Sequence, residues 1–227
     1  MSVGNRIVMN IKRPPKEMIE LFRGVPVANI DDQMSRMYAV DGGIKPLNKV
    51  PLLGPAFTVR APAGDNLMFH KALDLACEGD ILVISGIGGV DRAFSGEGMI
   101  RYAMLKKLGG FVIDGYVRDL EATRTLPFPV YARGVQPNGP LKTGPGEINL
   151  PVAIGGQVVR PGDILAGDQD GIVIIRPEDA EAIAPAARAL QEAEVVKFGG
   201  LEKGINTFKR EWIAAGLERN GCEIIGG

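Results

Sequence analysis

Apolar positions between residues 54 and 132 alternate between strand-like and helix-like spacing. Strands are predicted at 54–61, 81–85, 111–113 and 130–132, and helices at 66–77, from Gly96 onward, and at 120–126. The run at 81–85 is continuously apolar, as in a strand that is buried on both faces. This alternation predicts an α/β protein with a mostly parallel sheet and helices packed against it.

The N-terminal part has weaker patterns. Residues 1–13 are predicted to be a loosely held arm, followed by a helix at 16–22 behind Pro14-Pro15. A strand is predicted at 25–29, and Asp31-Asp32 is predicted to cap a short helical segment that reaches Tyr38. Two prolines predict a loop at 45–51.

The pattern changes from Gly139 onward, where glycine or proline recurs every few residues. This spacing predicts a β-meander with strands at 152–154, 158–159, 163–166 and 172–175. Asp168-Gln169-Asp170-Gly171 lacks the remaining ligands of a calcium loop, so it is predicted to be a hairpin turn. Helices at 177–197 and 201–217, separated by Gly199-Gly200, predict a helical extension at 177–227 that follows a core at 1–176 and packs on it or on a neighbouring subunit.

Composition excludes several classes of partner. The chain has 227 residues, 45% of them hydrophobic and 23% charged, with a net charge of −1. Because nucleic acids and anionic membranes bind basic surfaces, neither is expected as a partner. Cys77 and Cys222 have no metal-ligand spacing and are predicted to be free thiols in a reducing cytoplasm. No apolar run approaches the length of a membrane span, so a cytoplasmic protein is expected.

The stretch from Phe94 to Glu121 carries the candidate chemistry. Gly96-Glu97-Gly98 opens a helix that is predicted to end at Gly109-Gly110, and a strand, an Asp114-Gly115 turn and Arg118-Asp119 follow. The helix N-terminus should then lie near the carboxyl end of the strand. Amides of Gly98 and Met99, the guanidinium of Arg118 and two carboxylates suit a small anion and a divalent metal. The alternative is an ordinary helix start beside a surface ion pair.

Three glycines after the strand at 81–85 invite comparison with a dinucleotide-binding loop. The fingerprint requires a further glycine where this chain has Asp91, and the helix begins several residues too late. We therefore expect the segment from Gly86 to Phe94 to be a flexible loop that covers a small ligand.

Glu97, twenty intervening residues and Arg118-Asp119, preceded by Val112-Ile113-Asp114-Gly115, resemble the signature of the class II pyruvate aldolases. These divalent-metal-dependent enzymes include 4-hydroxy-4-methyl-2-oxoglutarate and 4-carboxy-4-hydroxy-2-oxoadipate aldolases and are related to the regulator of ribonuclease E activity A. The resemblance covers residues 25 to 175, approximately. It departs at Glu97, where the family usually has Asp, and at Ala122, where an acidic residue is frequent and this chain has Glu121 one place earlier.

The resemblance implies a layered, swivelling β/β/α domain and retro-aldol cleavage of a 4-hydroxy-2-oxo dicarboxylic acid to pyruvate, with oxaloacetate decarboxylation as a second activity. It implies that Asp119 binds Mg²⁺ or Mn²⁺ directly, that Glu97 holds a metal-bound water and that Arg118 binds a substrate oxygen. The Gly98 and Met99 amides would receive the pyruvyl carboxylate, and Gly96 is a further predicted substrate-binding residue.

The resemblance also implies a homotrimer or a dimer of trimers, with sites at subunit interfaces that an acidic residue of the neighbour closes. Glu194 and Glu202 are the candidates. The competing interpretation is a non-enzymatic, ring-shaped regulator that binds a ribonuclease or another protein. His70 as a base and Lys71, Lys106 or Lys107 as a Schiff-base amine are less favoured, because nothing in their surroundings indicates an activated group.

Overall fold

A computed structural model describes residues 3–86 and 91–226. The strands are β1 (Asn5–Ile7), β2 (Lys45–Pro46), β3 (Leu52–Arg60), β4 (Ile81–Ser85), β5 (Ala93–Ser95), β6 (Gly110–Val117), β7 (Val130–Val135), β8 (Gly146–Ile148), β9 (Val152–Ile154), β10 (Gln157–Val159), β11 (Ile164–Gly167) and β12 (Ile172–Ile175). The helices are α1 (Lys16–Glu20), α2 (Val27–Asp32), α3 (Leu67–Leu75), α4 (Glu97–Leu105), α5 (Leu120–Thr125), α6 (Ala180–Glu202) and α7 (Trp212–Arg219). The chain divides into two compact units, Met1–Ala187 and Arg188–Gly227.

The first unit contains a large mixed sheet. Within the described ranges its strand order is β1-β8-β3-β4-β6-β7-β2, with β5 beside β6 and the β11–β12 hairpin beside β3. Strands β3, β4, β6 and β7 are parallel, as the sequence predicts for the centre of the sheet. Strands β2, β8 and β11 pair antiparallel, so the sheet as a whole is mixed. The swivelling β/β/α layering stays a prediction.

Alternate side chains of the central strands enter two different cores. One core packs the strands against α3 and α4 and includes the edge-to-face rings of Phe69, Phe111 and Phe128, with centroid separations of 5.0 and 4.8 Å. The other core packs them against β9, β11 and β12. Because both faces are covered, β4 is buried at every position, which confirms the continuous apolar run in the sequence.

The N-terminal predictions are partly wrong. The supposed loose arm forms β1, which pairs in parallel with β8. The segment predicted as a strand at 25–29 is the start of α2, and Asp31-Asp32 ends that helix instead of capping a new one. Pro26 occupies the N-cap position, and the Val27 N–H donates to Asp168 Oδ2 at 3.0 Å. The helix start is therefore satisfied by a residue 141 positions away, which no local pattern reveals.

The central stretch has the predicted order but different bounds. Helix α4 ends at Leu105, and Lys107, with φ 55°, takes the left-handed conformation that was expected of a glycine. Gly109 serves close packing instead, because a Cβ there would lie 2.3 Å from the Gly79 carbonyl oxygen. Strand β6 continues through the predicted Asp114-Gly115 turn, where its pairing with β7 shifts register.

Predictions for the loop before this stretch are only partly tested. The end of the proposed covering loop forms β5, which pairs in parallel with β6. Residues 87–90 of that loop lie outside the described residues.

The C-terminal half differs from a single meander. Strands β9 and β10 form a separate hairpin, whereas β11 and β12 join the main sheet. The Asp168–Gly171 hairpin turn is confirmed, with the Asp168 N–H donating to the Gly171 carbonyl at 3.0 Å. Helix α6 continues through Gly199-Gly200, which was wrongly predicted to end it, and α7 begins only at Trp212. The domain boundary at residue 176 stays a prediction.

No helix in the described ranges is long and apolar enough to cross a membrane.

Candidate active site

A cavity of about 160 Å³ lies where the N-terminus of α4 meets the residues that follow β6. Five of the six predicted site residues line it, namely Gly96, Gly98, Met99, Arg118 and Asp119. The sixth, Glu97, is not among the lining residues. The structure thus brings together most of a site whose two halves are about twenty positions apart in sequence.

Asp119 is fixed where the chain leaves the sheet. Its backbone is left-handed, with φ 60° and ψ 49°, a conformation that costs a non-glycine residue on the order of 1 kcal/mol. Two backbone hydrogen bonds hold this turn. The Arg118 N–H donates to the Ser95 carbonyl at 2.9 Å, and the Thr123 N–H donates to the Asp119 carbonyl at 3.0 Å. The strained turn directs the Asp119 carboxylate toward the start of α4.

The Asp119 carboxylate contacts the helix start through one oxygen. Its Oδ2 accepts the Glu97 N–H at 2.9 Å and lies 3.8 Å from Arg118 Nε. Gly96 makes this approach possible, because a Cβ at that position would lie 2.3 Å from Oδ2. Glycine at position 96 is therefore explained by the close approach of the Asp119 carboxylate.

The first amides of α4 are not equally accessible. The Glu97 N–H is bonded to Asp119, and the Met99 N–H donates to the Gly96 carbonyl at 3.1 Å. Within residues 3–86 and 91–226, the Gly98 N–H donates to no group. Of the two predicted anion-binding amides, Gly98 supplies the open one, and the role of Met99 stays a prediction that requires its N–H to change partner.

Glu97 directs its carboxylate to a cation of its own helix. Arg101 Nε donates to Glu97 Oε1 at 2.7 Å, and the two side chains are 60% and 40% exposed. An exposed pair at this spacing contributes only about 0.3–0.5 kcal/mol. Glu97 can therefore exchange Arg101 for another partner at little cost.

The carboxylates fit a metal that is bound mainly through water. In the part of the chain that the structure describes, no three His, Cys, Asp or Glu side chains converge as a ligand cluster. Asp119 Oδ1, however, accepts no hydrogen bond from the described residues, and the side chain is 42% exposed. One free carboxylate oxygen with open solvent beside it suits Mg²⁺, which binds few protein ligands and keeps several waters.

The structure adds site residues that the sequence analysis missed or undervalued. Lys142 and His70 both line the cavity, although they are separated by more than seventy positions. Burial, together with the charge of Lys142, lowers the pKa of His70. The imidazole is therefore neutral near pH 7, where it can accept a hydrogen bond.

A buried carboxylate fixes the two residues that follow Lys142. Asp65, only 2% exposed, accepts hydrogen bonds from the N–H groups of Leu67, Thr143 and Gly144 at 2.7–2.9 Å and from the Thr143 hydroxyl at 3.0 Å. These bonds tie the loop that carries Lys142 to the start of α3. The only signal in the sequence is an isolated Asp65-Asn66 pair, which does not reveal its distant partners.

Two residues that line the cavity, Asn66 and Ser95, each have a buried polar side-chain atom without a partner among the described residues. Asn66 donates through Nδ2 to the Phe94 carbonyl at 2.9 Å, but its Oδ1 accepts nothing from the described residues. Ser95 Oγ is likewise unpaired, and the two residues are 2% and 3% exposed. An unpaired buried polar group costs about 1–3 kcal/mol, so such atoms typically mark a position for water or a ligand.

Comparisons with known proteins agree with this architecture. Residues 27–174 match the RraA-like family, described as Aldolase/RraA. The chain is 38% identical over 176 residues to a protein of Halalkalibacterium halodurans named "Putative 4-hydroxy-4-methyl-2-oxoglutarate aldolase", which covers 77% of this chain and 84% of that protein.

Two solved structures are similar in fold. An uncharacterized protein from Pseudomonas syringae superposes with a TM-score of 0.75 at 22% identity, covering 87% of this chain and 98% of the other. RraAS2 of Streptomyces coelicolor, described as an unusual member of the RNase ES inhibitor RraA protein family, gives a TM-score of 0.73 at 25% identity, with coverages of 83% and 98%. The chain belongs to the RraA-like family.

Proposed function

We propose that this protein is a divalent-metal-dependent carbon–carbon lyase that cleaves a 4-hydroxy-2-oxo dicarboxylic acid into pyruvate and a second oxo acid. The observation that carries the proposal is the meeting of Arg118, Asp119 and the open Gly98 amide on one small cavity. The name of the Halalkalibacterium halodurans relative supports the same reaction class.

The size of the cavity supports a small substrate unit. At ~30 Å³ for each water in the liquid, about 160 Å³ corresponds to roughly five waters. A molecule the size of pyruvate fits this space. The other half of a longer substrate would extend beyond it, toward solvent or a neighbouring subunit.

The residues present divide into metal and substrate partners. Asp119 would hold Mg²⁺ or Mn²⁺ through Oδ1, because Oδ2 is bonded to the Glu97 N–H. Glu97 would hold a metal-bound water after releasing Arg101. When bound, the cation supplies Lewis-acid stabilisation of negative charge on the carbonyl oxygen of the substrate.

The chain itself contributes positive potential and orientation. Arg118 binds the oxygen that gains negative charge as the carbon–carbon bond breaks, and its guanidinium carries a permanent positive charge beside that oxygen. The Gly98 N–H, at the positive end of the α4 dipole, receives the substrate carboxylate. Lys142 adds a second cation on the cavity wall. The same charge develops when oxaloacetate loses carbon dioxide, so we include decarboxylation as a second activity.

The proposal includes an oligomer in the cytoplasm. A homotrimer or a dimer of trimers would let α6 of a neighbouring subunit bring Glu194 or Glu202 to the site. Both residues lie on this helix. The small 2-oxo acid is then the one partner besides further copies of the chain.

The second candidate is a regulator that binds a ribonuclease. The similarity to the RraAS2 structure favours it, since that protein belongs to a family of RNase ES inhibitors. This function needs no turnover. Activity measurements therefore separate the two candidates.

The test is pyruvate release from 4-hydroxy-4-methyl-2-oxoglutarate and from oxaloacetate, measured with lactate dehydrogenase and NADH. We expect turnover with Mg²⁺ or Mn²⁺, above the rate of metal alone, that EDTA abolishes and that Asp119→Ala lacks. Asp170→Ala, which removes an exposed carboxylate in the β11–β12 turn, is the matched control and should retain activity.

Other results would reject the proposal in different ways. Activity that survives EDTA and is trapped by borohydride indicates a lysine Schiff base. Absence of turnover with both substrates, together with inhibition of a ribonuclease, favours the regulator.

A further inference from the structure

The Ser95 hydroxyl is a buried polar group that has no hydrogen-bond partner in the described ranges. It lines the cavity, the residue is 3% exposed, and Oγ makes no hydrogen bond in the described structure. Two other buried hydroxyls are paired: Thr58 Oγ1 donates to the Leu150 carbonyl at 2.6 Å, and Thr123 Oγ1 donates to the Asp119 carbonyl at 3.0 Å. Ser95 differs from them in that the residue lines the cavity and its Oγ has no partner among the described residues.

The backbone of Ser95 is hydrogen-bonded to a residue of the proposed site. Ser95 is the last residue of β5, and its carbonyl accepts the Arg118 N–H at 2.9 Å. Gly96 follows directly, and then α4 begins with the open Gly98 amide. Ser95 and Gly98 therefore both line one cavity, and each has a donor that is unpaired among the described residues.

We propose that the Ser95 hydroxyl and the Gly98 N–H together bind the carboxylate of the 2-oxo acid, one donor to each oxygen. The inference rests on the proposed function and adds a substrate-binding residue to it. A carboxylate offers two oxygens with lone pairs and no proton of its own, which matches two donors. The arrangement makes Ser95 a determinant of specificity for 2-oxo acids over their neutral amides and esters.

The charge of the ligand decides how much the hydroxyl contributes. Hydrogen bonds to an ionised acceptor are about twice as strong as neutral ones. Such a bond is stronger still where little water competes for it, and Ser95 is almost fully buried. An ordered water is the other possible partner of Oγ. It would satisfy the hydroxyl without any effect of Ser95 on ligand affinity.

The experiment compares Ser95→Ala with Thr58→Val in the full-length protein. Each variant removes one buried hydroxyl, but only Thr58 loses a hydrogen bond within the fold. Unfolding temperature is measured without ligand, and the affinity for oxalate, a planar dicarboxylate, is measured by calorimetry with Mg²⁺ present.

We expect Ser95→Ala to unfold at or above the wild-type temperature and to bind oxalate about tenfold more weakly, the loss of one charge-assisted hydrogen bond. Thr58→Val should unfold at a lower temperature and bind oxalate as the wild type does. In the coupled assay, Ser95→Ala should raise KM for the 2-oxo acid more than it changes kcat.

The remaining outcomes are distinguishable. Wild-type oxalate affinity in Ser95→Ala overturns the inference but leaves the proposed function intact, because the wild type still binds. A much lower unfolding temperature of Ser95→Ala also overturns it, since the hydroxyl would then have a partner within the fold. If the wild type binds no oxalate and releases no pyruvate, the proposed function itself fails and the inference fails with it.

Discussion

Gly96 offers a direct test of whether Asp119 must stay where the structure has it. The residue has φ −156°, an extended conformation that alanine adopts without strain. An added Cβ would nevertheless lie 2.3 Å from Asp119 Oδ2 and 3.0 Å from Arg118 Cγ. Gly96→Ala therefore perturbs both functional side chains with a single methyl group and without changing any charge.

The contacts give the expected magnitude. Oδ2 has to move by about 1.1 Å, the difference between 2.3 Å and the 3.4 Å at which ordinary contact begins. That shift breaks the 2.9 Å bond from the Glu97 N–H. Because the carboxylate is partly exposed, water replaces much of the lost bond, and unfolding free energy falls by only about 1 kcal/mol. Misplacing a reacting group by ~1 Å costs about 100-fold in rate, so kcat/KM should fall by roughly that factor.

The assay is metal-dependent pyruvate release, with urea unfolding measured on the same preparations. Gly42→Ala is the matched control, since its added Cβ meets no atom within 4 Å and its φ is not positive. It should leave both kcat/KM and stability near wild type. A folded Gly96→Ala protein with wild-type kcat/KM would refute the reasoning, because the Asp119 carboxylate would then be free to move without consequence.

Further predictions concern the cavity wall and the core. Lys142→Met should raise the pKa of His70. The pKa is measured by NMR, where the imidazole signal needs no assignment because the chain has one histidine. An unchanged pKa would show that the two side chains do not share the cavity. Since the folded-state pKa of His70 lies below 6.5, the unfolded chain binds the proton more readily, and stability should fall as the pH drops below 6.5. In His70→Gln, the unfolding temperature should lack this contribution to its pH dependence. Tyr131→Phe removes the 3.0 Å bond from its hydroxyl to the Asp168 carbonyl and should lower the urea-unfolding free energy by about 1 kcal/mol, with equal stability as the contradicting result.

The sequence predicted the centre of the molecule well. The continuous apolar run of β4 and the three- to four-residue period of α4 reflect burial that is repeated along each element, so they are visible without knowledge of neighbours. The spacing between Glu97 and Arg118-Asp119 carried the family resemblance. The structure accordingly places Asp119 against the start of α4, as expected from a helix and strand that run antiparallel in a layered α/β unit.

The local sequence pattern did not predict secondary structure correctly where an element depends on hydrogen bonds to residues far along the chain. Helix α2 was predicted as a strand because its start depends on Asp168, and β1 was predicted as a loose arm because its partner is β8. Glu97 illustrates the same limit within the site: the spacing predicted its backbone position, whereas the direction of its carboxylate depends on Arg101.

The sequence by itself determined the order of the central strands and helices, the balance of charge and the Arg118-Asp119 motif. Each of these depends on composition or on residues that are adjacent or regularly spaced in the chain. Only the tertiary structure decided that Lys142, next to the Thr143 that Asp65 binds, shares a cavity with that motif and that the Ser95 hydroxyl has no partner in the described part of the chain. Such features depend on which backbone atoms lie within hydrogen-bond distance after folding. A one-dimensional pattern does not contain those distances.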